Sequence, residues 1–223
     1  MTHNKNLRLI NDADFRELFH RVIYIKPTKE VIEHLAEDMD ICLKDRGFLA
    51  YGYIDNQCGF SFRIICSAHI RNNKLEYGAY DSQRLYIIRR GYVNCCSFAF
   101  IEEYDVEISD LEESALKHIR DIDMLYKCRE ETEQMRKFMF LDPFRSKEYP
   151  DDLQVILFKE GLQLEAVWVK CYTYTDNELF GLLLNEPEQD FGFHEGSIIG
   201  FAPMETDNGT ICVYTGRRLE KLS

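Results

Sequence analysis

An amide, three carboxylates and an imidazole fall within one irregular segment, at Asn185, Glu186, Asp190, His194 and Glu195. A histidine beside a carboxylate can pass a proton or share a cation, because imidazole titrates near neutrality. Loops held on a rigid β scaffold often carry such groups. No second histidine stands near His194, and neither His-x-x-x-His nor His-Glu-x-x-His occurs, so no metal site is expected. The segment reads as a recognition surface. These five residues are the candidate binding residues, and no residue is assigned a catalytic role.

Other chemistries lack their residues. There is no Gly-x-Gly-x-x-Gly and no Gly-x-x-x-x-Gly-Lys, so no nucleotide cofactor is expected. No Gly-x-Ser-x-Gly offers an esterase nucleophile. Cys66 and His69 are the nearest thiol–imidazole pair, but Cys66 follows Ile64-Ile65 and reads as packing. The eight cysteines include no Cys-x-x-Cys, and several sit in apolar runs, as reduced thiols do.

The elements that must position the candidate loop read in two sections. Asp12 or Asp14 opens a short helix through Phe15 and Leu18, and Thr28 caps a second that carries Val31, Ile32, Leu35, Met39, Cys42 and Leu43 on one stripe. Strands are expected over 48–54, 60–68, 75–80, 85–88 and 92–101, joined by short turns that favour antiparallel pairing. Ser109-Asp110-Leu111-Glu112 matches a capping box, opening a long helix toward Lys137 with Leu111, Ala115, Ile119, Ile122 and Tyr126 buried. Pro143 and Pro150 then interrupt the chain. Five short strands follow, over 153–158, 164–174, 178–184, 197–201 and 210–214. The expected fold is α+β: an antiparallel sheet with two helices over 1–150, then a small SH3-like barrel or bent sheet over 151–223.

Within that last third, Glu165-Ala166-Val167-Trp168-Val169 precedes Leu179-Phe180-Gly181-Leu182, then Asn185-Glu186-Pro187, then Phe191-Gly192-Phe193-His194-Glu195-Gly196. Gly181 permits a bend or a close strand crossing, and Gly192 and Gly196 let Phe191 and Phe193 tuck inward. Trp168 is expected in the core beneath them. In order and spacing this run resembles the YegJ-like family of bacterial domains of unknown function. The resemblance implies a compact β-rich module of bacterial origin and no particular activity.

Composition bounds the partners. The 223 residues are 45% hydrophobic and 30% charged, so the chain can bury a core, and its net charge is −12. Phosphate backbones are bound by clustered Lys and Arg, so nucleic acid is not expected. Arg84, Arg89 and Arg90 are the local exception and read as solvated strand ends. No apolar stretch approaches the ~20 residues of a membrane span, and no apolar export segment follows Met1, which fits a cytoplasmic protein. The resulting expectation is a non-enzymatic interaction protein, immunity- or antitoxin-like, that meets a basic partner by charge complementarity. The alternative is a small-molecule-binding protein or enzyme with its site between the two domains.

Overall fold

The computed structural model describes residues 7–39, 47–80, 86–175 and 178–220, with the backbone alone over 36–39. The chain divides into two compact units, 1–127 and 128–223.

In the first unit, seven strands among the described residues form one antiparallel sheet. They are β1 (Arg8–Leu9), β2 (Val22–Lys26), β3 (Phe48–Asp55), β4 (Gly59–Arg71), β5 (Lys74–Tyr77), β6 (Ile87–Arg89) and β7 (Ser97–Phe100). Their order is β1-β7-β2-β3-β4-β5, with β6 also on β4. Both faces are buried, so the strands read as near-continuous apolar runs rather than alternating ones. One face, with Ile23, Ile25, Phe48, Phe62 and Phe98, packs against Phe15 and Leu18 of α1 (Phe15–Leu18) and Val31 and Leu35 of α2 (Lys29–Met39). The other, with Tyr24, Leu49, Tyr51 and Tyr53, is covered by Ala115, Ile119 and Ile122 of α4 (Glu113–Leu125). Each such side chain contributes roughly 1.5–3 kcal/mol by leaving water.

The caps follow chemistry legible in the chain. Asp14 and Glu17 complete a capping box on α1, and the Thr28 hydroxyl accepts the Val31 amide at 3.3 Å to open α2. The far end of the α2 stripe, at Cys42 and Leu43, and Arg84 lie outside the described residues.

Three expectations here are corrected. Arg90 is no solvated strand end: it is buried, and its Nη2 donates to the carbonyls of Ile10 and Ala13 at 3.2 and 2.7 Å. Arg90–Val93 forms a helical turn (α3), and the strand expected from Tyr92 begins only at Ser97. The capping box uses Glu107 and Asp110 around a short 3-10 turn, and Ser109 does not cap α4. The long helix also breaks after Leu125: Tyr126 still packs on the first core, and a new helix, α5 (Glu130–Lys137), buries Met135 in a different one.

That core belongs to the second unit, whose strands β8 (Asp152–Leu157), β9 (Glu165–Thr175), β10 (Glu178–Leu183), β11 (Ile198–Thr206) and β12 (Gly209–Leu219) close into a five-stranded barrel. Neighbours are antiparallel except β12 and β8, which meet in parallel at Val213 and Ile156. Strict alternation fills the interior with Leu153, Val155, Leu157, Val167, Val169, Leu179, Ile199 and Phe201. Residues 128–150 pack with this barrel, so the second unit starts earlier than the 150/151 boundary read from the prolines. The reason is a buried ion pair: Arg136 on α5 holds Asp151 bidentately, at 2.8 and 2.7 Å. Burial pushes the Cys66, Cys171 and Cys212 thiols up to about 12, as inert packed thiols behave. No helix among the described residues is long and apolar enough to cross a membrane.

Candidate functional site

The loop after β10 is tied to the barrel residue by residue. Asn185 Oδ1 accepts the Trp168 amide at 2.8 Å, continuing the β9–β10 pairing past the end of the strand. Glu165 then accepts the amides of Glu188 and Gln189, at 2.7 and 3.3 Å, and Asp190 closes its own turn on the Gly192 amide at 2.9 Å. Gly192 and Gly196 both take φ of 85°, which side-chain-bearing residues avoid. Between them Phe193 turns inward, as does Phe191 before them, and Phe193 packs edge-on to Tyr214 with centroids 5.0 Å apart.

Of the five candidate residues, three meet. Glu186 receives His194 Nδ1 at 2.6 Å on one oxygen and the Glu195 amide at 2.8 Å on the other. Asn185 faces the Trp168 backbone and Asp190 its own turn, so the five do not converge on one point. Glu186 is thus a clamp, and what faces outward is the far edge of the His194 ring, whose side chain is 81% exposed, and the Glu195 carboxylate.

The hydrogen bond that His194 donates to Glu186, then the Glu186 charge, raises the His194 pKa, while the bonds from His194 and the Glu195 amide lower that of Glu186. The charged clamp therefore exists between these two displaced values. It is lost as pH rises through the raised imidazole pKa, and again as pH falls through the depressed carboxylate one. Glu186→Gln is expected to return the His194 titration midpoint toward the ordinary imidazole value, followed by NMR of the ring carbons. An unmoved midpoint would show that Glu186 does not hold the ring.

Chemically, the pair is a poor engine. Proton-transfer catalysis gains most in a water-excluded pocket with donors aimed at developing charge, and this imidazole stands in solvent. The nearest hydroxyl in the loop, Ser197 Oγ, accepts the His194 amide at 3.2 Å rather than approaching the ring. No group of three or more His, Cys, Asp or Glu among the described residues is placed to hold a metal ion.

Trp168 corrects the sequence reading. Its neighbours Val167 and Val169 face the core, so the period of two sends the indole outward, where it is 39% exposed. Register pairs it with Gln154 and pairs Ala166 with Ile156. Phe158, Leu164, Ala166 and Trp168 thus lie on the outward side of the β8–β9 hairpin, all exposed. The 185–195 loop is bonded to the same strand, through Asn185 on the Trp168 amide and the Glu188 and Gln189 amides on Glu165, and it carries Glu186, Glu188, Asp190 and Glu195.

Comparison with protein-family models, curated proteins and solved structures finds no match.

A second constellation carries no sequence signature. Glu178, buried at the start of β10, accepts from the Thr215 hydroxyl and from Arg217 Nη1, the latter at 2.6 Å. Gly200 makes room for it: a Cβ there would sit 2.9 Å from Thr215 Oγ1 and 3.0 Å from the Phe180 ring. Only strand register brings Glu178, Gly200 and Thr215 together, and register is not written in any local motif.

Proposed function

We propose that this chain is a non-enzymatic protein-interaction factor, immunity- or antitoxin-like, that recognises a basic protein through the outer β8–β9 face and the 185–195 loop. The observation that supports this reading is an exposed aromatic and aliphatic face on a strand that also holds an ordered acidic loop, 185–195, as its rim. Apolar anchors ringed by charge are the usual anatomy of a recognition patch. The net charge of −12 and the carboxylates of the rim favour a cationic partner, speeding encounter at low salt. Trp168 supplies the anchor, since tryptophan dominates interface energetics. The likeness to YegJ-like domains adds no activity to this reading.

The test is capture by the tagged protein from a lysate of its source cells, at low and moderate salt, with binding to the recovered partner then measured directly. One stoichiometric basic partner is expected, released by salt. Replacing His194 and Glu195 together by Ala should abolish capture without unfolding the barrel. Trp168→Ala should weaken binding by about 30-fold or more, the ~2 kcal/mol of an interface hot spot. Equal capture by all variants, or weak binding to many proteins, would overturn the reading.

A further inference from the structure

One cavity of about 260 Å³ in the second unit is lined by Arg129, Tyr172, Thr173, Thr175, Phe180 and Arg217, with Glu131 and Leu219 completing the wall. In a chain that carries 39 acidic residues against 27 Lys and Arg, two guanidiniums and one carboxylate among the described lining residues invert the overall balance. Each guanidinium lies over an aromatic ring, Arg129 at 6.0 Å from the Tyr172 centroid and Arg217 at 5.5 Å from that of Phe180.

Arg217 is oriented rather than merely present. Its side chain is 62% exposed, yet one Nη1 is tied to the buried Glu178 carboxylate and its face rests on Phe180. An exposed arginine ordinarily samples many rotamers, and this double restraint removes that freedom before any ligand arrives. With Nη1 engaged by Glu178, the other N–H groups of the fork remain for a planar anion, which guanidinium geometry matches.

From this we propose that the cavity binds a single-ring aromatic monocarboxylate, its carboxylate between Arg217 and Arg129 and its ring against the Tyr172 wall. Three observations select that class. The volume falls just below the ~300 Å³ at which drug-sized pockets begin, which admits one ring and excludes a dinucleotide. Glu131 in the lining and Glu178 behind Arg217 balance the two guanidiniums, which disfavours polyphosphates; a single carboxylate is held by directed N–H donors rather than by excess charge. The aromatic wall and Leu219 favour an apolar body over a bare inorganic ion. These residues are distinct from those of the proposed recognition face.

The probe is benzoate, titrated into the full chain and followed by amide NMR. The expected result is a saturable shift of the Tyr172, Thr173 and Thr175 amides, with a dissociation constant of about 0.1–1 mM. Benzamide, neutral and of the same shape, should bind at least about tenfold more weakly, and acetate and inorganic phosphate should not saturate. Arg129→Gln and Arg217→Lys should each cost about tenfold, the second because lysine keeps a charge for Glu178 but loses the fork. The proposal is overturned if benzoate leaves these amides unmoved, if benzamide or phosphate binds as tightly, or if neither variant changes the affinity.

Discussion

Arg136→Met is expected to destabilise the C-terminal unit by about 3–5 kcal/mol, the cost of leaving a buried carboxylate without its partner. The Arg136 and Asp151 side chains are only 6% and 8% exposed, and their two contacts, at 2.8 and 2.7 Å, form the fork-on-fork arrangement that satisfies both groups. Burial opposes the arginine's charge, and the hydrogen bonds and attraction of Asp151 more than offset it, so its pKa is raised. Removing the guanidinium strands Asp151 at the entrance to β8. The companion variant Arg136→Met with Asp151→Leu should recover most of the loss, because two apolar groups leave no charge behind. Trp168, the only tryptophan, lies in β9 and reports unfolding of this unit by fluorescence during urea titration of the whole chain. A single variant that loses less than about 1 kcal/mol would mean the pair is solvated in practice.

Gly181→Ala is expected to cost the upper part of the ~1–3 kcal/mol typical of overpacking, and to disturb register as well. At this position the β9–β10 ladder slips by one residue, between Phe180 and Gly181. A Cβ would drive into the Lys170 carbonyl and come within 2.6 Å of Val169 Cγ1. The first obstacle is backbone, which cannot rotate aside as a side chain can. Val169→Ala should therefore fail to rescue the variant, and the Trp168 transition should move to lower urea in both. Full rescue by Val169→Ala would place the conflict in the side chain instead.

The strand alternation of β8 and β9 was legible because Leu153, Val155, Val167 and Val169 carry the period openly. Phe191 and Phe193 were placed inward correctly, since the glycines around Phe193 allow no other economical use of two large rings. Trp168 lies outside because phase outweighs size: the valines on either side already hold the core positions. Arg90 and Ser109 misled for a related reason. A side chain's polarity says nothing of the carbonyls that tertiary structure brings to it, and Arg90 meets those of Ile10 and Ala13 from far up the chain. In the loop, the grouping of Glu186 with His194 is readable from proximity, but the Glu186 bond to the Glu195 amide comes with the turn that the Ser197 amide closes on the His194 carbonyl. The Glu178 constellation was beyond reach, because it rests on the pairing of Phe180 with Gly200 and on the slip that follows it in β11 and β12.

The barrel's last strand, β12, is the one that touches both β11 and β8. A ribosome delivers residues in order, so β8 to β11 emerge first as an open sheet whose two edges have unpaired amides and carbonyls. Such edges invite pairing with other chains. The N-terminal sheet has all its strands by Phe100 and can form while the barrel is still unsealed. Nascent chains stalled before residue 209 should thus display a finished first unit joined to a sticky half-barrel, the state in which this protein most needs a chaperone.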